Sequence, residues 1–170
     1  MKIALTGHRC QRLGLPEDEK SSRWDNISNW LKTTLEELIN SEEIADIYCG
    51  MASGCDIKLG CIVAQMKTEK NMRLHCVLPC RDYNSTHPYY EEIKVCADEW
   101  IELSDEFYKG CDNVRDQYMV DCCDVLLAIW DGNKSGGVWS TIRKAQRANK
   151  RIICCPKEVF KRGAIAIICE

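Results

Sequence analysis

Short apolar runs rich in β-branched residues alternate along the chain with longer stretches whose apolar positions recur at helical spacing. Lys2–Thr6 reads as a first strand, ended by Gly7. From Trp24 to Ile39 the residues Trp24, Ile27, Trp30, Leu31, Leu35, Leu38 and Ile39 repeat every three or four positions and predict a helix. Ala45–Cys49 is a second strand, and Asp56–Met66 a helix apolar on most of its surface. Arg73–Leu78 is a third strand stopped by Pro79. Pro88 suits the first turn of a helix running to about Ala97. Glu99–Leu103 reads as a fourth strand and Asn113–Cys122 as a helix. Asp124–Trp130 is a continuous apolar run of the kind buried on both faces of a sheet. A helix from Gly137 to Asn149 follows, then strands at Arg151–Cys155 and Ala164–Cys169. This alternation predicts an α/β architecture, a Rossmann-like three-layer domain with a mostly parallel sheet.

No repeat, low-complexity tract or flexible linker interrupts the 170 residues, so one domain over 1–170 is expected. Hydrophobic residues make up 45% and charged residues 29%, which is globular composition. The net charge of −3 disfavours a protein that works by neutralising nucleic-acid backbones. No apolar run reaches membrane-spanning length, and Met1–Gly7 lacks the apolar stretch of a signal peptide. A soluble, cytoplasmic protein with no membrane partner is the expectation. Thirteen cysteines, an odd count, fit reduced thiols rather than a disulfide framework. No C-x2-C pair suits a zinc site. The nearest approach is His75-Cys76…Cys80…His87, and no metal or cofactor is called for. A homo-oligomer is open, with Trp24, Trp30 or Trp139 lining its interface if exposed.

In parallel α/β sheets ligands bind outside the carboxyl ends of the strands. Three glycine-bearing loops fall at that edge: Thr6-Gly7-His8-Arg9, Gly50-Met51-Ala52-Ser53-Gly54-Cys55-Asp56, and Asp131-Gly132-Asn133-Lys134-Ser135-Gly136-Gly137. Glycine lets backbone N–H groups approach an anion, and a helix N-terminus adds a favourable dipole. One such loop is weak evidence; three at one edge favour a phosphate- or nucleotide-binding cleft. Gly50, Ala52, Ser53, Gly54, Gly136 and Gly137 would supply donors or close approach. Arg9 and Arg115 would neutralise phosphate, each with a surface ion pair as the blander alternative. Asp56, Asp121 and Asp131 would hold hydroxyls or orient loops, although Asp56 also suits a helix's first turn without any ligand. His8 beside Arg9 is more often a hydrogen-bonding orienter than a base. Cys55 at a helix N-terminus is a candidate for a lowered thiol pKa, against which a packing role is favoured. The basic stretch Arg143, Lys144, Arg147, Lys150 and Arg151 reads as a solvated helix face.

The segments TGHR at Thr6–Arg9, GMASGCD at Gly50–Asp56, LPCRDY at Leu78–Tyr83 and VRDQYMVDCCDVLLAIWDG at Val114–Gly132, with Ser135-Gly136-Gly137 after them, resemble the SLOG superfamily. The match is closest to its small stand-alone YspA/YpsA-like branch and extends over almost the whole chain. The resemblance implies a Rossmann-like fold that binds a nucleotide or nucleotide-derived ligand, as a sensor or sequestering protein. It brings Gly7, Met51, Pro79, Gly132 and Thr141 into the ligand-binding set. Phosphoribohydrolase relatives carry a PGGxGTxxE loop, but no Glu follows Gly136-Gly137 at that distance here, which argues against N-glycosidic hydrolysis. Thr141 and Arg143 match the T-x-R of the stand-alone branch, whereas Arg115-Asp116 replaces its usual Arg-Asn. Two rivals stay open. One is a nucleoside-monophosphate glycosidic-bond hydrolase using Asp121 or Asp131, and the other is a single-stranded DNA-binding module.

Overall fold

The computed structural model describes residues 1–40 and 43–161. Its strands are β1 (Lys2–Gly7), β2 (Ala45–Cys49), β3 (Met72–Leu78), β4 (Glu99–Glu102), β5 (Val125–Ile129) and β6 (Arg151–Cys154). They form one six-stranded sheet in the order β4-β3-β2-β1-β5-β6, and every pairing is parallel. The helices are α1 (Cys10–Leu13), α2 (Asp25–Leu38), α3 (Cys55–Met66), α4 (Tyr90–Cys96), α5 (Cys111–Cys122), α6 (Gly136–Arg147) and α7 (Lys157–Phe160). A 3-10 turn at Ser22–Trp24 leads into α2. This is the expected three-layer Rossmann-like α/β fold. Among the described residues no helix is long and apolar enough to cross a membrane.

The period-2 geometry of the strands sends alternate side chains to opposite layers. Ile3, Leu5, Ile47, Leu74 and Leu127 face a core shared with α2 and α3. Ala4, Tyr48, Val77 and Leu126 face a smaller core completed by Met119 and Val120 of α5 and Ala145 of α6. All five residues of β5 are buried, as a central strand between two helical layers requires. Each large apolar side chain removed from water there contributes roughly 1.5–3 kcal/mol. α3 is buried continuously from Cys55 to Val63 because it sits between the sheet, α2 and α4.

Element ends differ from the sequence reading by one or two residues. α4 begins at Tyr90 because Pro88 lies in the preceding turn, closed by Tyr90 N–H donating to His87 O at 3.0 Å. α1 and α7 are single turns, too short to show periodicity. The strand expected at Ala164–Cys169 lies outside the described residues. Trp24, an interface candidate only if exposed, is wholly buried, with its indole N–H donating to Pro16 O at 3.0 Å. Trp139 stacks on Trp130 at 5.1 Å, and Trp30 packs against the larger core.

The chain order decides where a ligand can enter. From β1 it winds outward through β2, β3 and β4, then crosses back to β5 and β6. The loops after β1 and β5 therefore leave neighbouring strands towards opposite layers and open a crevice between them.

Candidate functional site

At that crevice lies a cleft of about 640 Å³, within the range of small-molecule sites. One wall is the β1 loop, with Gly7, His8 and Arg9 and, beyond it, Gln11 and Arg12. Ala52 and Asp56 come from the β2–α3 connection. Asp112, Arg115, Asp116 and Met119 form one stripe of α5, at positions i, i+3, i+4 and i+7. Ser135, Gly136, Gly137 and Val138 close the other side at the start of α6.

In the expected second phosphate cradle, around Gly50–Gly54, two N–H groups are engaged within the protein. Gly54 N–H donates to Oε1 of the fully buried Glu19 at 2.7 Å, and Ala52 N–H donates to Asp56 Oδ2 at 3.2 Å. Gly54 itself is required there, with φ of +96° and the Arg9 backbone where a Cβ would lie. Met51 is buried, and its carbonyl accepts from Asn84 Nδ2 at 2.9 Å. Ser53 lines a smaller depression of about 300 Å³ on the far side of Arg9. Pro79 is buried at the end of β3, outside the cleft lining.

Arg115 is not free to clamp a phosphate. Its Nε donates to Asp116 at 2.7 Å, its Nη1 donates to Gly50 O, and its guanidinium lies over the Tyr83 ring. Burial opposes its charge, but the carboxylates of Asp116 and Asp56 outweigh that and keep it protonated. Gly50 has no room for a side chain, since a Cβ would lie 2.8 Å from Asp56 Oδ2 and 2.9 Å from Arg115 Nη1. Asp56 is buried, and burial pushes its carboxyl up to about 6, with Arg115 pulling down and Asp116 pushing up. Thr141 is also buried; its hydroxyl lies 3.1 Å from Asp116 Oδ2 and 3.0 Å from Gly137 O, tying α6 to α5.

His8 and Asp131 knit the β1 loop to the β5 loop. Asp131 N–H donates to His8 Nε2 at 3.2 Å, which takes the neutral ring, and burial lowers the imidazole pKa accordingly. Arg12 Nε donates to Asp131 Oδ2 at 2.8 Å. Burial pushes the Asp131 carboxyl up, but the Asn133 N–H and Arg12 prevail and hold it at about 2. Gly132 packs beneath Lys157, whose Nζ stands where an added Cβ would lie. Asp121 is the one expected residue placed well away. It sits in the last turn of α5, at the opposite edge of the sheet, accepting from Gln117 Nε2 at 2.7 Å. Cys55 is buried against Gly7, and desolvation raises its thiol pKa, so the helix dipole does not activate it.

Two groups keep uncommitted donors. Arg9 is exposed, its only side-chain bond being to the Tyr83 hydroxyl at 3.3 Å, and among the described residues no carboxylate pairs with it. The N–H groups of Gly136, Gly137 and Val138 have no acceptor among the described residues, because the Ser135 hydroxyl turns to Asn133 instead of capping α6. Space above Gly136 and Gly137 is open for 4 Å. His75 of the zinc-like set lies between Asp46 and Glu99, each at 2.7 Å, and among the described residues no group of three His, Cys, Asp or Glu side chains is arranged to hold a metal ion.

Residues 3–154, from β1 to β6, match the family model of the YspA SLOG family. The chain belongs to the YspA SLOG family. No protein with a curated description matches it. The matched span contains every residue of the SLOG cleft. Sequence reasoning missed Gln11, Arg12, Asp112 and Met119 as lining residues of that site, and Glu19 as the internal anion at the start of α3. The α5 stripe alone carried a legible signal, the helical spacing of Asp112, Arg115, Asp116 and Met119.

Proposed function

We propose that this SLOG protein binds a nucleotide or nucleotide-derived phosphate ligand, as a sensor or a sequestering protein for a nucleotide signal. The observation that carries the reading is the uncapped N-terminus of α6 beside the unpaired Arg9, across the β1/β5 switch point. Three N–H donors, the positive end of a helix dipole and one guanidinium converge on a cleft of nucleotide size. Ligand hydroxyls find acceptors at Asp56, Asp112 and Asp116. A thermal-shift panel of mono-, di- and cyclic nucleotides and ADP-ribose derivatives tests it. At a hundredfold excess over Kd, a true ligand raises stability by about 2.7 kcal/mol. Absence of any shift across the panel refutes the reading.

Asp56 favours a second reading, hydrolysis of a nucleoside monophosphate at its glycosidic bond. A carboxyl at about 6 in a buried position changes protonation near neutral pH, as a general acid or base must. This moves the candidate carboxylate from Asp121, remote from the cleft, and from Asp131, held by Arg12, to Asp56. Product analysis separates the two: free base released by the parent chain and lost in Asp56→Asn selects the hydrolase.

A further inference from the structure

We infer that the ligand of this cleft is a nucleoside polyphosphate, whose outer phosphates leave the cleft over Gly136 and lie in a basic groove along α6. The inference rests on the nucleotide reading above and narrows its substrate class.

Charge balance makes the first argument. The cleft lining holds three guanidinium groups, Arg9, Arg12 and Arg115, against three carboxylates, Asp56, Asp112 and Asp116. Two of those arginines are already paired, Arg12 with Asp131 and Arg115 with Asp116. What remains, Arg9 and the α6 N–H groups, suits one phosphate. Further phosphates inside the cleft would face the carboxylates, and in a partly desolvated site like charges repel strongly.

The second argument is an adjoining groove of about 360 Å³ that shares Gly136 with the cleft. Its floor is a single stripe of α6, with Gly136, Ser140, Arg143, Lys144 and Arg147 at i, i+4, i+7, i+8 and i+11, spanning roughly 16 Å of helix. Arg143 and Arg147 are exposed, and among the described residues neither has a carboxylate within ion-pair distance. Lys144 Nζ is anchored by Asn113, through its carbonyl at 2.9 Å and its side chain at 2.6 Å. Complementing the helix dipole accounts for Lys144 and Arg147 in the last turn, but not for Arg143, which precedes it. In a chain of net charge −3, this concentration of cations is local. The open space above Gly136 and Gly137 provides the path between the two depressions.

Calorimetric titration with adenosine and guanosine 5′-mono- and 5′-triphosphates, without divalent cation, tests the inference. The parent chain is expected to prefer a triphosphate over its monophosphate by about thirtyfold, from two or more added charge-assisted contacts. That preference should shrink as salt rises from about 50 to about 500 mM. In the double variant Arg143→Ala/Arg147→Ala it should collapse to about threefold or less. Arg151→Ala removes the same charge at the far edge of the sheet and should leave the preference intact, which excludes a general charge effect. Equal affinity for mono- and triphosphate, or a preference that survives the double variant, overturns the inference while the nucleotide reading stands. No binding of any nucleotide overturns both. Tighter binding of a single-stranded oligothymidylate than of either triphosphate, lost in the double variant, overturns the inference in favour of a nucleic-acid surface.

Discussion

Glu19 Oε1 accepts the Gly54 N–H at 2.7 Å, so a side chain 35 positions upstream occupies the N-terminus of α3 as an anion would. The same oxygen accepts from Cys10 Sγ at 3.6 Å, and Lys58 Nζ donates to the Glu19 carbonyl at 2.8 Å. His87 Nε2 lies 3.2 Å from the second carboxylate oxygen but off the hydrogen-bond axis, leaving that oxygen without a bond. Among the described residues three helices start at glycines on the ligand edge, α3, α5 and α6; Glu19 accepts at the start of α3, and at the start of α5 Cys111 N–H donates to Tyr108 O and Asn113 N–H to Gly110 O. On the proposed reading, the ligand's phosphate goes to α6.

Removing that internal anion is expected to weaken the fold before it weakens binding. Glu19→Ala leaves the Gly54 N–H buried and unpaired, at a cost of about 2–3 kcal/mol. Glu19→Gln keeps an acceptor oxygen and should lose less. Urea midpoints of the two variants measure the difference; equal, negligible losses would refute the capping role.

At α6 the prediction reverses. A Cβ at Gly137 meets nothing within 4 Å, and its φ lies outside the left-handed region, so Gly137→Val should fold normally. Its side chain would stand where a phosphate approaches and should abolish binding. Arg9→Ala should weaken the same ligand by about 1.5–3 kcal/mol, roughly ten- to a hundredfold. Calorimetry on folded samples checks both. Unchanged affinity in the two variants would remove α6 and the β1 loop from the site.

The buried carboxyl of Asp56 sets a pH dependence. Its folded pKa of about 6 lies above its ordinary value of 3.8, so between those values the native state binds more protons than the unfolded chain. Stability should therefore fall as pH rises through that window, by about 3 kcal/mol from this residue, and level off above it. His8, whose pKa is lowered by burial, works in the opposite direction just below its ordinary value of 6.5. Comparison with Asp56→Asn isolates the effect: the stability of the parent chain relative to the variant should drop between about pH 4 and 6. Parallel curves would show that the carboxyl is not desolvated.

Thiol chemistry gives a fourth test. Hydrogen bonding to Cys76, then burial, pushes the Cys49 thiol well up; burial does the same to Cys55 and raises Cys10 to about 12. Cys154 is the one exposed cysteine among those described. Under native conditions near pH 8 it should react with a disulfide reagent ahead of the other described cysteines, while the buried thiols lag by orders of magnitude. Denaturant should release all thirteen. Fast native labelling of Cys55 would contradict its packing role.

Hydrophobic periodicity in the sequence determined the layers of this protein. Strand and helix signatures are local, because a side chain's face follows from its own position, and Asp124–Trp130 announced a central strand by being apolar throughout. The edge carrying the three glycine loops was legible for the same reason, since each loop simply follows a strand. Which loop donors remain free was not legible, because it depends on contacts between distant segments. Glu19 looks like a surface acid in a polar stretch, and only the folding of residues 14–24 over α3 carries it to Gly54. Arg115 reads as a phosphate clamp until the packing of α5 brings Gly50 and Asp116 to its guanidinium. Asp121 and Asp116 are alike in sequence, five positions apart on one helix, yet Asp116 lines the cleft and Asp121, in the last turn, accepts from Gln117 outside it. The local pattern sets the direction of a side chain, while its partners are set by where the remainder of the chain comes to rest.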